Sequence, residues 1–212
     1  MPAANRMVGV PQKLWYTFSD GCCDFFMTDT RTERLLSDDP KVRQIMSEEQ
    51  LGALKAWLVA GSKRIKFVVS SVPIFPDPIP KDARRDKWSG FISQRDEILE
   101  VIRQHGLRRV VFLGGDYHAS MQTELAIPHN ANFRVLSVVS SAFYWPYRHG
   151  SARKFQLCGE LASLSGQAYE VVNSGRIQST DNFTRVIANL DGLKIEVVGR
   201  KGELLETNEY IF

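Results

Sequence analysis

Apolar residues along this chain fall into runs of different period, and the periods predict its elements. Ile65 to Val69 (IKFVV) and Val110 to Leu113 (VVFL) are short and unbroken, as strands buried on both faces are. Leu14 to Phe18 and Cys22 to Thr28 read as two strands joined at Asp20-Gly21, a hairpin signal. Leu51, Leu54, Trp57 and Leu58 recur at helical spacing. Ser47 and Gln50 ahead of them have the spacing of a capping box, and Gly61 follows as a stop. A second helix is predicted from about Phe91 to Gln104, with Ile92, Ile98, Leu99 and Ile102 inward, Ser89 as a candidate N-cap and Gly106 as the end.

The middle of the chain therefore alternates helix, strand, long loop, helix, strand, the order of a layered α/β fold. Met121 to Ile127 and Phe133 to Val139 read as further strands, and SARKFQLCGELASLSG as a short helix. From Asn182 the pattern alternates through turns at Asp191-Gly192 and Lys201-Gly202, predicting an antiparallel meander. No repeat, low-complexity run or linker divides residues 1–212, which read as one domain.

Composition narrows the function classes. The apolar fraction is 43% and the charged fraction 24%, values of an ordinary globular protein rather than a disordered one. Net charge is +3, and the basic pairs Arg84-Arg85 and Arg108-Arg109 stand apart without an aromatic platform, so no nucleic-acid partner is expected. No apolar stretch nears the roughly 18 residues that span a bilayer. Cys22, Cys23 and Cys158 are odd in number and two are adjacent, which argues against a disulfide framework. Reduced thiols and the lack of a signal-peptide core in MPAANRMVGVPQK give a cytoplasmic expectation.

Candidate chemistry gathers after the strand at 110–113, where Gly114 and Gly115 lead into Asp116, Tyr117 and His118. A carboxylate and an imidazole two residues apart at a strand end are either metal ligands or partners in a loop-closing hydrogen bond. In the DTR stretch, Arg31 is a candidate for gripping phosphate, since a guanidinium matches two oxygens at once; the same stretch reads equally as an Asp29–Arg31 loop ion pair. The proline-rich segment SSVPIFPDPIPKDARRDKWSG is too long for a plain connection. Its Asp86 and Trp88 are candidates for a lid over a substrate, or for a helix-entry element. Cys22 and Cys23 read as strand core, Tyr144, Trp145 and Tyr147 as a packed corner, and His149 as a surface residue.

Five stretches in order, FFMTDTRTER, EEQLGALKAWL with KFVVSSVP, DKWSGFISQRDEIL, VVFLGGDYHAS and VLSVVSSAFYWP, resemble the alkaline phosphatase D (PhoD-like) metallophosphatase family. The resemblance implies a four-layer αββα sandwich with a dinuclear metal site at the strand ends, cleaving phosphate mono- or diesters. It implies that Asp116 and His118 are metal ligands, with iron, calcium, manganese or zinc as the ions, and that Arg31 steadies the phosphate. A His118 that is not ligated is instead placed to protonate the leaving oxygen. The family's other ligand elements, resembling G-D-x-x-D and G-N-H-D, have no counterpart here: the only Gly-Asp pair is Gly115-Asp116, and no Asn-His pair occurs. The chain therefore resembles the C-terminal half of that domain, a mixed sheet flanked by helices on one side with antiparallel C-terminal strands. Half a sandwich leaves a bare sheet face. The expected partners are a homo-oligomer mate or an N-terminal half on another segment, unless the chain carries a rearranged sheet of its own. A non-catalytic module that kept the scaffold is the alternative to a phosphoester hydrolase.

Overall fold

The computed structural model describes residues 13–39, 41–79, 86–144, 149–173 and 175–212. Strands β1 (Tyr16–Asp20) and β2 (Cys23–Met27) form the expected hairpin, with Gly21 at φ +53° in the turn. Helix α1 (Glu48–Val59) leads to β3 (Ile65–Val69), and α2 (Ile92–Gln104) leads to β4 (Val110–Gly114). The strands β5 (Ser120–Ile127), β6 (Asn130–Ser140), β7 (Gly159–Leu161) and β8 (Tyr169–Asn173) follow. These eight strands make one sheet in the order β1-β2-β3-β4-β6-β5-β8-β7. Its centre, β2 to β4 and β6, is parallel, while β1 at one edge and β5, β8 and β7 at the other run antiparallel.

Both helices cover one face of this sheet. Leu51, Leu54 and Leu58 of α1 and Ile98, Leu99 and Ile102 of α2 pack with Phe26, Val68, Val110 and Phe112, all buried. Successive residues of a strand point to opposite faces, so Val111, Phe67 and Cys23 look the other way. There they meet Leu193, Ile195 and Tyr210. These last residues belong to a separate three-stranded antiparallel sheet, ordered β11-β10-β9, built from β9 (Asn182–Asn189), β10 (Gly192–Gly199) and β11 (Leu204–Ile211). The meander is therefore a third layer facing the large sheet.

Local details depart from expectation where tertiary partners claim the backbone. Ser47 caps α1 by accepting from the Gln50 amide at 3.2 Å, but Gln50 does not complete the box. Glu33 takes the Ser47 amide at 3.1 Å, and the Gln50 side chain turns to the Asp29 backbone. Ser89 is not an N-cap; it lies in a single 3₁₀ turn, and α2 starts after Phe91 without a side-chain cap. The helix expected in 151–166 is a 3₁₀ turn at Ala152–Lys154 followed by β7. Asp96 of α2 there accepts from the Leu164 and Ser165 amides, at 2.6 and 3.0 Å, and Arg95 donates to the Ala162 carbonyl at 2.6 Å. Backbone groups held this way are not free for helical bonds.

Candidate functional site

The carboxyl ends of β2, β3 and β4 lie side by side, and each continues into a loop of the candidate site. After β2, Thr28 donates from its amide to the Val69 carbonyl at 2.9 Å, tying the loop to β3. Asp29 then accepts from the amides of Arg31 and Thr32, both at 2.9 Å, and from the Thr32 hydroxyl. Gln50 of α1 grips the Asp29 backbone from below, accepting from its amide at 2.9 Å and donating to its carbonyl at 3.0 Å. Asp29 thus shapes the turn that presents Arg31. Burial works to raise its carboxyl pKa, and the hydrogen bonds from Thr32 and Arg31 outweigh it, holding the group below its ordinary value.

After β4, a Cβ on Gly114 would stand 3.0 Å from the Pro73 Cα, a close approach suited to glycine. Asp116 and His118 both have left-handed backbone, at φ 63° and 53°. Each such residue costs roughly 1–3 kcal/mol, so the surroundings must impose it. They do so through Tyr117, which is buried between the two. Its amide donates to the Ser141 hydroxyl at 3.0 Å, its hydroxyl donates to the Pro76 carbonyl at 2.8 Å, and its ring stacks on Phe155 at 4.4 Å. The Gly150 amide donates to the His118 carbonyl at 3.0 Å. Asp116 is left exposed and His118 half-buried.

Charges from three loops meet here. Arg31 reaches Asp86 at 2.6 Å and Asp116 at 3.8 Å. Arg34 also pairs with Asp86, and Lys87 with Asp116. Burial acts to raise the Asp86 pKa, but hydrogen bonds from Arg34 and Arg31 prevail and lower it. Three cations against two carboxylates leave one positive charge. Arg31 and Asp86 are each 49% exposed, so their pair is worth at most about 1 kcal/mol, little enough for a phosphate to displace. An open hollow of about 480 Å³ lined by Arg34, Ser37, Arg43 and Asp86 adjoins the cluster.

A family model for PhoD-like phosphatases matches residues 1–156. The chain belongs to the PhoD-like phosphatase family. No curated protein matches it. Among solved structures, that of PhoD superposes with a TM-score of 0.69 at 17% identity, covering 100% of this chain and 43% of that one. The purple acid phosphatase PPD1 from yellow lupin (Lupinus luteus) seeds superposes at 0.57 and 11% identity, covering 97% and 34%. At these identities the likeness is one of fold, a mixed α/β architecture with a large mixed sheet and antiparallel C-terminal strands. This chain spans less than half the length of either relative.

Against the metal ligands that PhoD-like membership suggests, the donor types fit and their number does not. Asp116 and His118 are of the right chemistry for hard and borderline cations. Among the described residues, no group of three or more His, Cys, Asp or Glu stands close enough to hold an ion. The Asp116 carboxylate is instead met by Lys87 and Arg31. His149 lies 3.2 Å from Asp181. Cys23 sits at the opposite end of β2, about 13 Å from Met27 along the strand. Burial pushes its thiol up to about 12, which keeps it protonated and a poor ligand.

The structure thus brings Arg31, Asp86 and Asp116 together, with His118 on the same loop. It separates Trp88, expected at the substrate, which is a core residue at 1% exposure whose indole donates to the Ser70 hydroxyl at 3.1 Å. The corner residues Trp145 and Tyr147 lie outside the described residues. Sequence reasoning passed over Lys87, the neighbour of Asp86, whose charge would have flagged it. It gave Gln50 and Tyr117 no part in the site, since their roles there arise only from contacts.

Proposed function

We propose that this chain serves metal-dependent hydrolysis of phosphate mono- or diesters, contributing part of the site. The observation that carries the reading is the convergence of Arg31, Asp86, Lys87 and Asp116 at the carboxyl ends of parallel strands, where open α/β sheets bind ligands. In this reading Arg31 leaves its exposed pair with Asp86 to grip two phosphate oxygens, and Asp86 orients it between turnovers. In this reading Asp116 and His118 are metal donors, and a second copy of the chain supplies the remaining ones. An unligated His118 is the group placed to protonate the leaving oxygen.

One observation favours a second reading, a phosphate-binding scaffold without catalysis of its own. Lys87 and Arg31 already balance the Asp116 charge, as a metal ion would. Elemental analysis of the purified chain beside the Asp116→Ala, His118→Ala double variant separates the two. Stoichiometric iron, calcium, manganese or zinc that the double variant lacks is the expected result. Hydrolysis of p-nitrophenyl phosphate and its bis-ester then reports activity, with Arg31→Ala raising KM about tenfold for a loss of about 1.4 kcal/mol of binding. A wild-type chain without metal overturns Asp116 and His118 as donors here and leaves the scaffold.

A further inference from the structure

A second concentration of charge lies at the amino ends of β3 and β4, opposite the candidate site. In the sequence Arg108-Arg109 is an isolated basic pair, but the fold sets the loop before β3 against the loop before β4. The Lys66 amide donates to the Arg109 carbonyl at 2.8 Å, and the Arg109 Nη1 donates to the Lys63 carbonyl at 2.7 Å. Arg64, Lys66, Arg108 and Arg109 thereby line one hollow of about 280 Å³, and no carboxylate is among its lining residues. A cleft walled by charge of one sign focuses its field and draws in counter-ions.

The fold positions these cations more than it neutralises them. The Lys66 ammonium donates to the carbonyls of Trp57, Leu58 and Ala60, so the negative end of α1 is closed and does not repel an anion in the hollow. The Arg64 Nη1 donates to Asp24 at 3.1 Å, and its amide donates to the Ser62 hydroxyl at 3.0 Å. Among the described residues, Asp24 is the one carboxylate that pairs with any of the four. Arg64 and Arg109 each spend Nη1 on the fold and keep Nη2 and Nε without a partner among the described residues. The exposed Arg108 guanidinium has no partner there at all.

We infer that this hollow binds a diphosphate, two linked phosphoryl groups as found in free pyrophosphate or in a nucleoside diphosphate. A guanidinium matches two oxygens at once, so three of them offer more contacts than one phosphoryl group has oxygens to fill. A second linked phosphoryl group supplies the missing oxygens, and Lys66 adds charge without spending a proton on the ligand. A carboxylate, with two oxygens, fits the set worse than either. The site is separate from the phosphate grip at Arg31, since the five residues of β3 hold its two ends about 13 Å apart.

Isothermal titration calorimetry with pyrophosphate at physiological ionic strength tests this independently of the catalytic reading. Binding is expected that Arg108→Glu weakens at least about tenfold, because the new carboxylate faces the ligand's like charge. Arg64→Gln weakens it too, whereas Arg31→Ala, at the other end of the sheet, leaves it unchanged. Amide chemical shifts of the wild-type chain locate the ligand without any variant, and those of residues 62–66 and 106–110 should move. An ADP arm separates the sources: tighter binding than pyrophosphate assigns the nucleotide, weaker binding the free anion. Four results overturn the inference: no binding of pyrophosphate, shifts confined to residues 29–31 and 86–88, an affinity that Arg108→Glu leaves unchanged, or inorganic phosphate binding as tightly as pyrophosphate.

Discussion

Asp29 acts on the site without joining its chemistry. Its carboxylate holds two backbone amides and a hydroxyl, and the turn so formed carries Arg31 to Asp86 and Asp116. The folded pKa lies below the ordinary 3.8, so Asp29 binds protons more weakly in the folded state. The stability it contributes is present above 3.8 and is lost as pH falls through the folded value. Asp29→Asn keeps the shape and removes the titration. Its unfolding free energy in urea should fall less steeply than that of the wild type as pH drops below 4. An unchanged slope would show that the turn holds without the charge.

At the scale of elements, α2 organises more than its apolar face. Arg95 and Asp77 form an ion pair at 2.6 Å with 0% and 1% side-chain exposure. Arg95 also donates to the carbonyls of Ile74, at 3.3 Å, and Ala162, at 2.6 Å. One guanidinium thus joins the loop after β3 to the segment before β8. Removing one partner of a buried pair costs about 3–5 kcal/mol, because the other charge is left in a dry interior. Arg95→Ala should lower the unfolding free energy by that much, read as a lower urea midpoint at unchanged slope. Loss smaller than about 1 kcal/mol would mean that water reaches Asp77. On the other helix, the Lys66 ammonium donates to the carbonyls of Trp57, Leu58 and Ala60 at 2.6, 2.7 and 2.7 Å, closing the end of α1. Burial lowers its pKa nonetheless.

For the whole molecule, the decisive event is the folding of the C-terminal meander across the large sheet. Leu193, Ile195 and Tyr210 seal the face formed by Cys23, Ile65, Phe67, Val111, Leu136 and Val138. The Tyr210 hydroxyl donates to Gln122 of β5 at 2.8 Å, fixing the layers in register. Ile195 is fully buried at their centre, so Ile195→Ala should destabilise the chain by about 2–5 kcal/mol, read as a lowered urea midpoint. A change under 1 kcal/mol would mean the two sheets separate readily.

The hairpin at Gly21, both helices, the buried strands β3 and β4, and the three final strands were legible in the sequence. Each depends on local chemistry: a turn residue, a cap, or a period of apolar side chains. The proximity of Asp116 and His118 was legible for the same reason, because a strand end carries them two residues apart. Tertiary structure alone decided that Arg31 and Asp86, 55 residues apart, share an ion pair, and that Lys87 closes on Asp116. It also decided that Trp88 is core, that 159–161 is strand rather than helix, and that the meander forms a layer of its own. In each case the deciding partner is distant in the chain, and a backbone or charged group goes to whichever partner the packed layers bring within reach.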